Sequence, residues 1–151
     1  MTTMTAPASQ VYSVFVRATP EQLWDAITRP EFTRKYFYGS VFDSTFEAGS
    51  KYCGYAADGG ELYVDGEVIE ASKPHKLVTS WRAMWAEALA AEPYSRVTWE
   101  LEAAGEGITK LTVVHDELEH AQKTAASVAG GWSNILSGLK TLLETGTPIG
   151  G

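Results

Sequence analysis

Residues 121–146 read AQKTAASVAGGWSNILSGLKTLLETG, and this stretch decides the fold. Its large apolar residues are Val128, Trp132, Ile135, Leu136, Leu139, Leu142 and Leu143, at successive spacings of 4, 3, 1, 3, 3 and 1. That is one face of an α-helix. At helical pitch the seven fall within an arc of about 120°, and Ala121 and Ala125 continue it toward the N-terminus. The other side carries Ser133, Asn134, Ser137, Lys140, Thr141 and Glu144. Gly146 is placed for a left-handed cap and Pro148 follows as a breaker. The pattern predicts one long helix from about 122 to 145. Such a helix needs a broad apolar surface to lie on, and the preceding residues must build it.

They read as strands for the most part. VYSVFVR (11–17) is rich in β-branched and aromatic types. In ATPEQLWDAIT, Thr19 is a good N-cap, Pro20 fits the first helical position, and Gln22 lies three residues past the cap. Pro30 ends that short helix and opens a second, PEFTRKYF. VFDSTF and KYCGYA follow as strands, with turns at Glu47–Ser50 and Asp58–Gly60. ELYVDGEVIEA, bent at Gly66, then HKLVTSWRAM, YSRVTWELEA and ITKLTVVHDEL read as long antiparallel strands, with AEALAAEP an irregular or briefly helical connector. The order predicts an α+β domain: a curved antiparallel sheet of six or seven strands wrapped around the C-terminal helix, with two short helices after the first strand. Residues 11–147 are expected to form this single domain, with loose tails at 1–10 and 148–151.

A net charge of −7 leaves no basic surplus for nucleic acid or for an anionic membrane surface. No apolar run reaches transmembrane length, so no membrane insertion is expected. Cys53 is the only cysteine, which excludes an internal disulfide and suits a reducing compartment. MTTMTAPASQ lacks the cationic start and apolar run of a signal peptide. The expected location is cytoplasmic, as monomer or homodimer.

Motifs for chemistry are few. His75, His115, His120 and Cys53 lack zinc-site spacing, so no metal is expected. There is no phosphate-binding glycine loop and no nucleophile elbow, and no cofactor is expected. His115 is in phase with Leu111 and Val113 and reads as inward-facing. It is either a hydrogen-bonded core histidine or an acid–base group beside a cavity, and is the one weak catalytic candidate. Arg82 reads as a surface ion pair or a carboxylate contact at a cavity mouth. Asp65 and Glu67 share a strand face, with Glu70 on the opposite one by simple alternation. Gly131 and Gly138 lie on one edge of the helix stripe, for close backbone packing or for ligand space. The aromatics Phe37, Tyr38, Tyr52, Tyr63, Trp81, Trp99 and Trp132 fall on the elements that should surround the core. With His115 and Leu136 they form the candidate ligand-binding set, suited to flat or aromatic apolar molecules.

The element order is that of the helix-grip fold, and four stretches carry a family likeness. They are VFVRATPEQLWDAITRPEFTRKYFYG, GEVIEASKPHKLVTSWR, SRVTWELEAAGEGITKLTVVHD and GGWSNILSGLKTLLETG, which together cover most of residues 14–146. The chain resembles the SRPBCC (START/Bet v-like) superfamily, in the branch named for the activator of heat-shock-protein 90 ATPase. The resemblance implies an apolar cavity between sheet and helix that holds a small hydrophobic or aromatic ligand. It also implies two alternatives: an enzyme of the polyketide cyclase/dehydratase or hydrolase type using the same cavity, and a chaperone-associated or other protein-interaction module. For the last, the connector around Met84, Trp85 and Leu89 is the candidate surface, and it could equally be a lid or a dimer contact.

Overall fold

Seven strands form one antiparallel sheet in the order β1-β7-β6-β5-β4-β3-β2. The computed structural model describes residues 8–56 and 60–149. The strands are β1 Gln10–Val16, β2 Val41–Asp43, β3 Lys51–Tyr55, β4 Leu62–Ser72, β5 Lys76–Ala83, β6 Ser95–Gly105 and β7 Ile108–Asp116. Helices α1 Pro20–Thr28 and α2 Pro30–Tyr36 follow β1, α3 Glu87–Ala90 lies between β5 and β6, and α4 Gln122–Val128 and α5 Gly131–Thr145 close the chain. This is the expected helix-grip arrangement, a curved α+β sheet with a long C-terminal helix. Most of the expected tail at 1–10, the turn residues 58 and 59, and residues 150 and 151 lie outside the described residues.

Local chemistry sets the helix ends. Thr19 accepts the Gln22 N–H and the Gln22 side chain accepts the Thr19 N–H, a reciprocal capping box. Gly146 takes the left-handed conformation, φ 78°, and its N–H bonds to the Leu142 carbonyl.

The expected single helix over 122–145 is divided. Ala129 has a non-helical ψ of 125°, and Gly130 is left-handed with φ 84°. Two adjacent glycines carry the weakest helix propensity after proline, so the ladder breaks there at little cost. The apolar stripe survives the break: Val128 and Trp132 are both buried, as are Ile135, Leu136, Leu139 and Leu142.

Alternation on the long strands sends one set inward. Leu77, Thr79 and Trp81 of β5, Val97, Trp99 and Leu101 of β6, and Leu111, Val113 and His115 of β7 are all buried. β4 departs from simple alternation. The pairing shifts between Val68 and Glu70, leaving Ile69 bulged and exposed. Asp65 then pairs with Arg82 and Glu70 with Val78, four residues apart on β5. Glu70 therefore shares the outer face with Asp65 and Glu67, where alternation alone separates them. The bend at Gly66 has a steric cause: a Cβ there would lie 2.1 Å from the Ser80 carbonyl oxygen. The expected strand VFDSTF is short, ending at Asp43, with Phe46 at φ 57° and its N–H bonded to the Ser44 hydroxyl.

Helix α5 also seals an edge. β1 is a terminal strand of the sheet, and such strands expose unpaired peptide groups. The Lys140 ammonium donates to the Phe15 carbonyl at 2.6 Å, and the Glu144 carboxylate accepts the Arg17 N–H at 2.7 Å. Lys140 and Glu144 pair with each other at 2.8 Å.

Candidate functional site

Trp132 is the hub of the interior. It sits on the first turn of α5, two residues past the Gly130 break, and is 2% exposed. Phe37, Trp99 and His115 meet it at close to right angles, at ring-centre distances of 5.8, 5.7 and 5.8 Å. Trp81 lies at 6.3 Å. Edge-to-face contacts of this kind suit aromatic quadrupoles. The bulk of Trp132 thus fills most of the space between sheet and helix.

A cavity of about 200 Å³ lies against Trp132. Strands β4 and β5 contribute Tyr63, Val64 and Trp81 to its wall. The segment after α2 contributes Phe37 and Tyr38, and the β5–β6 connector contributes Trp85. Ser127, Val128, Gly131, Trp132 and Ile135 complete it from α4 and α5. Six of these eleven residues are aromatic, and none carries a charge. Tyr38 stands at the mouth, 55% exposed, with φ 51°. Its hydroxyl donates to the Gly131 carbonyl at 3.5 Å and accepts from Asn134 at 3.4 Å, both long contacts. Gly131 leaves real space: a Cβ there would meet only the Tyr38 hydroxyl, at 3.6 Å. Gly138 serves packing instead, since a Cβ there would lie 3.2 Å from Tyr36 Cβ.

Of the sequence-expected residues, Phe37, Tyr38, Tyr63, Trp81 and Trp132 line this cavity. Tyr52, Trp99, His115 and Leu136 do not. Tyr52 stacks on Phe42 at 5.0 Å, and Phe42 in turn packs on Phe37, so two rings separate Tyr52 from the cavity. Trp99 lies behind Trp132, and Leu136 is buried in the core. Sequence reasoning placed Val128, Gly131 and Ile135 on the helix stripe, where Ile135 stands one turn past Trp132. For Trp85 the sequence leaves open an interaction surface, a lid or a dimer contact. Trp85 is half-buried and tilted over Tyr63 at 4.8 Å.

His115 is fully buried, with both ring nitrogens engaged. The Trp132 indole N–H donates to Nδ1 at 3.1 Å. Nδ1 is therefore the acceptor and Nε2 carries the proton. Nε2–H donates to the Ser95 hydroxyl at 2.7 Å, and that hydroxyl donates to the Trp81 carbonyl at 3.0 Å. The chain Trp132→His115→Ser95→Trp81 satisfies every donor with a neutral imidazole. Burial pushes the His115 pKa down to about 4, against a smaller opposing pull from Asp116. No lone pair of this ring faces the cavity, so the geometry matches a hydrogen-bonded core histidine.

Arg82 is on the outer face. It pairs with Asp65 at 3.0 Å and lies 4.5 Å over the Tyr94 ring. Tyr94 donates to the same carboxylate. Cys53, opposite Asp65 in the ladder, has its thiol pKa raised by burial and then by that carboxylate, which disfavours the thiolate. Among the described residues no group of three or more His, Cys, Asp or Glu is placed to hold a metal ion. No helix among them is long and apolar enough to cross a membrane.

This architecture recurs in solved structures, among them the following three. An HSP90 activator from Plasmodium falciparum is 26% identical, with a TM-score of 0.72 over 91% of this chain and 97% of its own. A protein from Mesorhizobium loti is 23% identical, with a TM-score of 0.72 over 90% and 96%. The Aha1 dimer from Colwellia psychrerythraea is 18% identical, with a TM-score of 0.68 over 91% and 97%. No curated protein matches the chain in sequence. The family model for "Activator of Hsp90 ATPase homolog 1-like protein" matches residues 17–144, well over half of the chain. On that span, the chain belongs to the Activator of Hsp90 ATPase homolog 1-like family.

Proposed function

We propose that this protein binds a small, flat, uncharged apolar or aromatic molecule in the cavity between sheet and helix. The observation that carries this reading is the wall itself: six aromatic side chains and no charged one around about 200 Å³. An apolar cavity of about 150 Å³ is enough to take up benzene. Ligand sites more often span about 300–1,000 Å³, so this one suits one or two fused rings. A carboxylate or phosphate here would lose its hydration with no cation to meet it. The hydroxyl-bearing residues of the wall are Tyr63, Ser127 and Tyr38, the last held by long contacts to Gly131 and Asn134 that a ligand's polar group would replace. Titration with naphthalene, followed by tryptophan emission, tests the reading. Saturable binding at micromolar strength or weaker is expected, about −8 kcal/mol at best for an unselected ligand. A flat response across a panel of one- and two-ring probes overturns it.

The enzyme alternative asks for two titratable groups converging on one point. The titratable side chains of the wall are Tyr38 and Tyr63, and both nitrogens of His115 are committed elsewhere. A protein-interaction role is favoured by the family and by the HSP90 activator among the similar structures. Trp85 is packed inward and does not offer the surface for it. Val11 and Phe15 on the outer face of β1, 61% and 56% exposed, are the apolar residues to substitute in a pull-down against a chaperone. Assembly as a homodimer, as in the Colwellia protein, is read by light scattering.

A further inference from the structure

Two segments of the cavity wall come from distant parts of the chain. The connector between β5 and β6, residues 84–94, brings Trp85 to the cavity, and Trp85 packs on Tyr63 and Trp81. Helix α4 brings Ser127 and Val128. One carboxylate joins them. Glu92, near the end of the connector, accepts the Lys123 N–H at 3.0 Å, the Thr124 N–H at 2.7 Å and the Thr124 hydroxyl at 2.7 Å.

These bonds close the N-terminus of α4. Its own capping position is Ala121, which has no side-chain acceptor. Glu92 supplies the missing cap from 31 and 32 residues away in sequence. At its other end α4 stops at Val128, and the left-handed Gly130 two residues on is where a Cβ would find no heavy atom within 4 Å. Behind the first turn of α4 lies a small cluster of Leu118, Ala121 and Ala125, separate from the main core, while Val128 at its end packs into the main core. Gln10 adds one side-chain bond, to the Ala125 carbonyl at 3.0 Å. Helix α4 is thus a short wall element held at its end by Val128 in the core and at its start by a small apolar cluster and a carboxylate fastening.

We propose that Glu92 is a latch across the seam between the connector and α4, and that it sets the size limit of the cavity. The inference rests on the ligand-binding reading given above. With the latch closed, the space is held at about 200 Å³, below the usual range for ligand sites. With it open, the connector and α4 separate and the site accepts larger ring systems. Glu92 is then a positioning and specificity-determining residue that does not itself touch the ligand.

The test compares naphthalene with pyrene in wild type, Glu92→Ala and Glu92→Gln. Ala removes all three bonds. Gln keeps one acceptor, opposes the other donor with its amide, and is the milder variant if the first folds poorly. Wild type is expected to bind naphthalene at least about tenfold more tightly than pyrene. In the variants pyrene gains at least about tenfold while naphthalene stays within about threefold. Amide exchange at Lys123 and Thr124 speeds up in the unliganded variants while that of α5 does not. A merely structural role lowers both affinities together and overturns the proposal, as does an unchanged ratio with naphthalene still bound. If no variant and no wild type binds naphthalene, the ligand-binding reading itself falls, and the size limit with it.

Discussion

The indole N–H of Trp132 donates to Nδ1 of His115 across 3.1 Å, and this bond ties the first turn of α5 to the end of β7. It fixes the tautomer of the histidine and the orientation of the tryptophan ring that bounds the cavity. The helix is therefore positioned on the sheet by a buried polar bond as well as by its apolar stripe.

His115→Gln is expected to cost about 1–3 kcal/mol of stability, because a buried donor or acceptor in the Trp132–Ser95 chain loses its partner. Ligand affinity in the molecules that remain folded should change little, since His115 does not line the cavity and Phe37, Trp81 and Trp99 still hold the Trp132 ring in place. Paired urea melts and naphthalene titrations separate the two effects. Lost binding at unchanged stability would restore a functional role for this ring.

The same ring makes stability depend on pH. Its folded pKa is held down to about 4 against 6.5 for the free side chain. Between those values the unfolded chain binds more protons than the folded one, so stability falls as pH falls. The contribution is fully present above pH 6.5, and about 3 kcal/mol of it is lost by pH 4. Carboxylates with lowered pKa lose their contribution as pH falls through the ordinary carboxylate value and below, so they overlap only the acid end of this window. At Glu92 burial opposes the lowering, and the bonds from Thr124 and Lys123 outweigh it. A series of melts between pH 4.5 and 7 should show a slope in wild type that is absent in His115→Gln.

Gly131→Ala separates folding from binding. The added methyl meets only the Tyr38 hydroxyl, at ordinary contact distance, and alanine favours a helix over glycine, by less at this first helical position than the about 1 kcal/mol of a helix interior. Stability should hold or rise while naphthalene affinity drops as the methyl takes up cavity space. Gly66→Ala is the opposite case. Its Cβ falls 2.1 Å from a backbone oxygen, and the sheet must distort, at a cost of at least about 1–3 kcal/mol. Thermal melts of the two variants check both statements, and equal losses would refute the steric assignment.

Trp132→Phe should keep the fold, because a large ring still fills the hub. It removes the donor to His115, so a loss of about 1–3 kcal/mol is expected even with packing preserved. Much of the ligand-induced emission change should disappear with the indole. Trp132→Ala would cost about 3–5 kcal/mol and tests packing alone.

Much of the fold was legible in the residues themselves. The stripe from Val128 to Leu142, the Thr19–Gln22 capping box, Gly146 as a helix stop and the alternation of Val97, Trp99 and Leu101 are local patterns. Each depends on the period of one element, so sequence spacing is enough to read it. The Gly130–Gly131 pair was also visible, but whether a helix runs through two glycines depends on what the neighbouring turns gain by packing. Here Val128 and Trp132 stay buried on either side of a break.

The rest was decided by contacts between elements far apart in the chain. Alternation turned His115 inward, yet it could not say that Trp132 and Ser95 would take both ring nitrogens. The bulge at Ile69 moved Glu70 to the face of Asp65, because one unpaired residue inverts the phase of everything after it. Trp99 and Leu136 have the right phase for a cavity wall and still miss it: Trp132 packs edge-to-face on Trp99, and the cavity opens among Trp81, Trp85, Tyr63 and Phe37 instead. Glu92 lies in a connector with no periodic signal, and its role appears only when the fold brings it to the first turn of α4. Period and propensity are properties of one segment. Which side chain reaches which space is a property of all the segments packed together, and it is settled only in the tertiary structure.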